Sequence, residues 1–303
     1  MKRQFTVLIP VYNRPSLVKA TIDSVLAQTF TDYELVVIDD GSTDETPQVL
    51  QSYGDRIKII CQVNQGPEAA RHRAAAQTTS EYFVLLDSDD LLPSHALATY
   101  DRIIRQLDAP PVIIGAMSPF QSGDLLPLCD VTGPLEVYRH ANLFDRDRPI
   151  GMTCSQIVAK RSAVLATGAF HATATAFPFD TADILLSLST QGPWVVVKQP
   201  ITVAYRLHDS NTIANMELML RTALCLIKLE KQGAYPGGSA NKFSRWAYLG
   251  GVLWNWCRQA LAAKKFGPAT QLIIKGAPMI TCGTLRKLSL KLRKKKLPLR
   301  LAA

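Results

Sequence analysis

The chain has 303 residues, 47% of them apolar and 19% charged, which supplies a sizeable core and excludes wholesale disorder. Its 18 Pro and 17 Gly follow no period, so collagen-like and solenoid architectures are excluded as well. The net charge of +9 is unevenly divided, with 17 Lys/Arg against 23 Asp/Glu in residues 1–215 and 17 Lys/Arg against only Glu217 and Glu230 in residues 216–303. That split predicts an acidic, cation-binding unit over 1–215 and a basic unit over 216–303 that meets an anionic surface.

In chain order, Phe5 to Pro10 is a continuous apolar run suited to a strand buried on both faces. Pro15 opens a helical pattern through Val18, Ile22 and Leu26. Leu35 to Ile38 reads as a second strand, and Ser42 to Glu45 as capping chemistry for a helix through Val49 and Leu50. Next come a third strand (57–61), an Ala-rich helix (68–77), a fourth strand (82–86), a fourth helix (94–107) and a fifth strand (112–114). This alternation predicts an α/β fold with a mostly parallel central sheet and helices on both faces. Ligands on such sheets bind beyond the carboxyl ends of the strands.

Acidic residues fall at those ends. Asp39-Asp40-Gly41-Ser42 comes after the second strand, and Asp87-Ser88-Asp89-Asp90 after the fourth. Residues i and i+2 of extended chain point to one side, about 7 Å apart. Asp87 and Asp89 are thus expected to converge on one cation, or on a cation and a sugar hydroxyl. Hard oxygen ligands without clustered Cys or His suit Mg2+ or Mn2+ rather than zinc. Helix capping is the competing role for these aspartates. No G-x-G-x-x-G comes after the first strand, and no phosphate loop of the G-x-x-x-x-G-K-[ST] type occurs.

Four strings, in order and at natural spacing, carry a resemblance over about residues 4–115. They are Val7 to Arg14 (VLIPVYNR), Ser24 to Phe30 (SVLAQTF), Glu34 to Thr43 (ELVVIDDGST) and Leu85 to Asp90 (LLDSDD). Together they closely resemble the family 2 glycosyltransferases, inverting enzymes of the GT-A fold that use nucleotide-sugar donors. The resemblance implies that Pro10, Tyr12 and Asp40 line the nucleotide pocket, with the Asp40 carboxylate accepting from the base. It implies that Asp87 and Asp89 form the Asp-x-Asp motif, which holds Mn2+ or Mg2+ and contacts the donor. Asn64-x-Gly66 with Ala70-Arg71 is similar to the family segment after the third strand, where Arg71 would face the nucleotide. UDP is the commonest carrier in the family, and a saccharide or lipid-linked hydroxyl is the acceptor the resemblance implies.

Gly168-Ala169-Phe170, then Phe179 to Leu188, resembles the family's acceptor segment, which reads Gly-Gly-Phe and then Glu-Asp-x-Asp-Leu. Aligned on Asp183-Ile184, the position of the catalytic base holds Thr181, and threonine is no base near neutral pH. Asp180, one residue away, and Asp183 are the candidate bases. The alternative is a nucleotide-sugar-binding or membrane-associated chain without transfer activity. Tyr205-Arg206-Leu207-His208 with Asn211 resembles the family's Tyr-Arg-x-His stretch, so His208 is expected at the metal or the diphosphate.

Past His208 the pattern turns helical over Met216 to Leu229 and Ser244 to Leu261. Trp246, Leu249, Leu253, Trp254 and Trp256 read as a packing face, with bilayer docking as the alternative. Gly267-Pro268 and Ala277-Pro278 are expected to break up the remaining segment. Leu285 to Arg300 carries eight Lys/Arg and no acid, which reads as a solvated tail or as a peripheral membrane contact through 285–303. Lacking interleaved aromatics, it is not expected to bind nucleic acid. Six scattered cysteines without C-x-x-C, no secretory leader and no apolar run of spanning length predict free thiols in the cytoplasm, with contact at the inner membrane face.

Overall fold

In the computed structural model, which describes residues 3–121, 134–145, 153–169, 181–208, 215–291 and 298–301, the apolar runs become strands as their burial requires. β1 (Phe5–Val11) is buried along its whole length. It leads through α1 (Pro15–Leu26), whose first-turn proline pre-sets φ where no N–H is needed. Next in the chain are β2 (Tyr33–Asp39), α2 (Thr46–Gln51), β3 (Lys58–Cys61), α3 (Pro67–Ala76), β4 (Tyr82–Leu85), α4 (Ala96–Gln106) and β5 (Val112–Ile114). The chain continues through β6 (Met117–Phe120), β7 (Leu135–His140), β8 (Ile157–Lys160), α5 (Arg161–Thr167), α6 (Thr181–Ser187), β9 (Trp194–Gln199) and β10 (Val203–Arg206). It closes with α7 (Met216–Lys231), α8 (Lys242–Ala262), α9 (Phe266–Lys291) and β11 (Leu299–Leu301).

Nine strands form one sheet in the order β11-β7-β9-β5-β8-β4-β1-β2-β3, and β10 pairs with β6 in a second. Within the large sheet, seven strands run one way and only β7 and β8 run against them. The sheet is thus mostly parallel by direction. It is mixed by pairing, because β8 wedges antiparallel between β4 and β5. The period of two divides the core. Leu8, Val36, Ile38 and Leu85 pack in one cluster with Leu226, Leu249 and Leu253 of α7 and α8. Val7, Ile9, Val37 and Val84 pack in the other with Ile22 and Leu97 of α1 and α4.

Residue 215 marks a change of charge and element type rather than a break in packing, since α7 and α8 share the first of those cores. α9 runs unbroken past both proline dipeptides. Pro268 sits in its first turn, where a missing N–H is harmless, and only Pro278 removes an internal hydrogen bond. α8 and α9 form an antiparallel pair packed at glycines. A Cβ on Gly250 would strike the Met279 carbonyl, and one on Gly283 would lie 3.1 Å from the Gly250 backbone. The expected tail is partly structured: 285–291 complete α9, and β11 pairs antiparallel with β7. There Arg300 Nε donates to Glu136 Oε1 at 2.9 Å, and Arg102 Nη2 to the Leu301 carbonyl at 3.0 Å. Trp246 and Trp256 pack on the core as expected, whereas Trp254 is exposed. The described cysteines are all free thiols. No described helix is long and apolar enough to cross a membrane.

Candidate active site

Three strand ends meet on one edge because β1 lies between β2 and β4 in register. Pro10 is buried within β1, and Tyr12, just past it, is exposed. Asn13 takes a left-handed φ of 51°. From there its Oδ1 accepts from the Thr43 N–H at 2.8 Å, while its own N–H donates to Ser42 Oγ at 3.0 Å. The loops after β1 and β2 are thereby locked together. Gly41, at φ +81°, lets the second loop approach the third, since a Cβ there would lie 2.9 Å from the Asn64 nitrogen.

Asp40 is buried between these loops. Its Oδ1 accepts from Gln62 Nε2 at 2.7 Å and from the Gln65 N–H at 2.9 Å, and its Oδ2 from the Gly66 N–H at 2.8 Å. A carboxylate offers about four acceptor sites, so one is left for a ligand.

The three aspartates after β4 have three different environments. Asp87 Oδ1 accepts from Arg71 Nη2 at 2.6 Å. Burial raises the Asp87 carboxyl above its ordinary range, against the pull of Arg71. Asp90 is fully buried, taking Ser155 Oγ at 2.6 Å and the Arg206 N–H at 2.9 Å. Asp89 is mostly covered, with its Oδ2 2.5 Å from Arg14 Nη1 and 3.0 Å from His208 Nε2. Each of the two carboxylates is ion-paired to a different arginine, Asp87 to Arg71 and Asp89 to Arg14.

His208 reaches Asp89 because β10 is stitched to the acidic loop. Leu91 and Ala204 exchange backbone hydrogen bonds of 3.0 and 2.9 Å, and Arg206 Nε donates to the Asp89 carbonyl at 2.8 Å. An oxygen and a nitrogen about 3 Å apart are spaced like adjacent ligands of an octahedral ion with bonds of ~2.1 Å. The pair fits Mn2+ or Mg2+ if Arg14 releases Asp89 Oδ2. Among the described residues no cluster of three or more His, Cys, Asp or Glu side chains surrounds such a position.

Two expected site residues have different surroundings. Arg71 is fully buried and does not present its guanidinium to an open pocket. It donates to Glu68 Oε1 at 2.7 Å as well as to Asp87. Burial pushes the Glu68 carboxyl up to about 7, with Arg71 opposing and Asp183 and Asp87 adding to the rise. Asp183 is buried, and its Oδ1 accepts the Tyr235 hydroxyl at 2.7 Å. Asp180 lies outside the described residues, as do Phe170, Phe179 and Asn211. Thr181 opens α6 with its hydroxyl 3.4 Å from Cys154 Sγ. Arg14, Glu68, Asp90, Ser155 and Tyr235 are partners that sequence reasoning missed. Arg14 ends the VLIPVYNR string, but nothing local ties it to Asp89, 75 residues on.

The profile of the family described as Glycosyl transferase family 2 matches residues 6–156, which include the three strand ends. An uncharacterised glycosyltransferase of Rickettsia typhi is 36% identical over 109 residues, covering 36% of this chain and 34% of the relative. The minor teichoic acid biosynthesis protein GgaA of Bacillus subtilis is 35% identical over 130 residues, covering 40% of this chain and 28% of that protein. The matched stretch thus spans about a third of these relatives' length. Among solved structures, S. aureus TarS 1-349 in complex with UDP-GlcNAc superimposes with a TM-score of 0.65 at 18% identity, covering 96% of this chain and 84% of TarS. The mannosyltransferase PcManGT of Pyrobaculum calidifontis, with GDP-Man and Mn2+, gives 0.53 at 18% identity, covering 95% and 88%. At these identities the likeness carries the fold, which is GT-A.

Proposed function

The chain belongs to glycosyl transferase family 2, and from that premise we propose that it moves a sugar from a nucleoside diphosphate donor to an acceptor hydroxyl with inversion. The observation that carries this reading is the meeting of Asp89 and His208, 119 residues apart in sequence, at 3.0 Å, on the strand edge that Asp40 also borders. UDP is the carrier we infer, by analogy with the TarS complex.

In this reading the remaining acceptor site of Asp40 takes an N–H of the base, and exposed Tyr12 covers the ring. Asp89 and His208 would hold Mn2+ or Mg2+, which when bound would supply Lewis-acid stabilisation of charge on the departing diphosphate, and Asp87 contacts the donor. Arg71 is a positioning residue that fixes Asp87. The acceptor oxygen attacks the anomeric carbon from the opposite face. The bond to the diphosphate oxygen breaks, and its electron pair leaves with the nucleoside diphosphate. Asp180 receives the acceptor's proton, a contribution worth about 10²–10⁴-fold. Asp183, held inside by Tyr235, positions α6 rather than accepting that proton. The acceptor we infer is a saccharide, free or lipid-linked.

The test is nucleoside diphosphate release from UDP-, GDP- and TDP-sugars with Mn2+ or EDTA, in wild type and Asp89→Ala. Metal-dependent release from one donor, lost in the variant, is the expected result. Absence of both release and metal-dependent donor binding would overturn it. Asp180→Asn is expected to abolish transfer while keeping donor binding. Transfer surviving in that variant would remove Asp180 from the base role.

A further inference from the structure

α9 buries one side and leaves the other bare. Ala269, Leu272, Gly276, Met279 and Gly283 are its buried positions, and they keep the helical period along the seam with α8. Phe266, Ile273, Ile274, Ala277, Leu285 and Leu288 lie on the opposite side and are exposed, Phe266 and Ile274 by 65% and 67%. At ~1.5 Å per residue this stripe runs roughly 33 Å. Single exposed apolar residues are ordinary, whereas a continuous stripe marks a contact. From Phe266 to Leu285 the only charged residue is Lys275. Of the exposed threonines on this side, Thr281 and Thr284 are internally satisfied: Thr281 Oγ1 donates to the Ala277 carbonyl at 3.0 Å, and Thr284 Oγ1 to that of Ile280 at 3.1 Å. Removing them from water therefore strands no hydroxyl donor.

The charge around the stripe selects its partner. Exposed Lys264 and Lys265 lie in the turn at its start, next to exposed Leu261 at the end of α8, and exposed Lys287 stands near its end. No Asp or Glu occurs after Glu230. Glu230 itself is buried against Arg245 at 2.7 Å. A second copy of the chain docked on this face would bring lysines together with no acid between them. An apolar stripe with cationic ends and no acid matches an anionic lipid surface.

We propose that the outward face of α9 lies in the plane of an anionic membrane. Its apolar stripe sits at the acyl boundary, and Lys264, Lys265, Lys275 and Lys287 reach the headgroups. The contact is thus the helix face rather than the 285–303 tail as a whole, whose last strand is tied into the sheet. The inference goes beyond the transfer reaction and stands on separate residues.

The experiment is co-sedimentation of the full chain with phosphatidylcholine vesicles, with and without about 30% phosphatidylglycerol, at low and high salt. Wild type is expected to bind the anionic vesicles at least ~10-fold more strongly than the neutral ones, with salt weakening the binding. Ile273→Glu combined with Ile274→Glu is expected to lower that binding at least ~30-fold, and the milder Ile274→Ser about 5-fold. Both leave donor-dependent diphosphate release unchanged. Three results would overturn the proposal. They are failure of wild type to bind, binding insensitive to both variants but lost on neutralising Lys294, Lys295 and Lys296, or a dimer dissolved by the variants without any vesicle binding.

Discussion

At the carboxyl ends of β1, β2 and β4 almost every charged group has a partner. Asp40 closes a loop, Asp87 takes Arg71, and Asp89 takes Arg14 and His208. On α9 Lys275 and Lys287 stand exposed, and the two acids of the basic region are already occupied, Glu217 by Arg221 and Glu230 by Arg245. The first arrangement specifies atoms at fixed distances and suits chemistry. The second specifies only a sign of charge and an apolar face, and suits a surface that offers no fixed atoms.

That contrast can be broken from either side. The largest expected effect is at Asp89: Asp89→Ala lowers metal-dependent diphosphate release by about 10³-fold. Arg71→Met should lower stability as well as release. Leaving buried Glu68 and partly buried Asp87 without their cation costs about 3–5 kcal/mol in urea unfolding, and a variant with wild-type release would deny Arg71 its positioning role. Among the helices, Gly250→Val forces a side chain against the Met279 backbone and is expected to cost about 1–3 kcal/mol, read as a lower urea midpoint. Smaller is the pH slope from Glu68. Its carboxyl is raised from 4.5 to about 7 in the folded chain, so the folded state binds more protons between those values. This contribution to stability is full below pH 4.5 and is lost as pH rises through about 7. Glu68→Gln should flatten that slope. Smallest is Arg300→Ala, which removes an exposed cation from Glu136 and should cost under about 1 kcal/mol.

The sheet and its acidic edge are legible in the sequence because apolar runs report burial and a strand must end where its run ends. Asp40, Asp87 and Asp89 fall on that edge by pattern alone. What periodicity does not encode is direction, so Ile157 to Lys160 gives no sign that β8 runs antiparallel between β4 and β5. Proline and glycine mislead in the helical region for local reasons. Pro268 falls in the first turn of α9, Pro278 lies on its exposed side, and Gly250 and Gly283 are the close-contact points of two helices rather than breaks. Arg71 and Asp183 are placed by pattern, but their burial depends on long-range partners: Arg71 reaches Asp87, 16 residues on, and Asp183 takes the Tyr235 hydroxyl, 52 residues on. Leu299 to Leu301 is too short and too basic to announce a strand; only the open edge of β7 recruits it.

That last pairing bears on how the chain is made. Glu136 and Arg300 are 164 residues apart, so β7 is synthesised long before the strand that covers it. Until the helical region has emerged from the ribosome, β7 offers an uncapped row of backbone donors and acceptors, the template on which strands of other chains add. Slow translation through α8 and α9 would lengthen that exposure. The hazard ends when Leu299–Leu301 dock, bringing Arg300 of a short, charged strand to the sheet's edge.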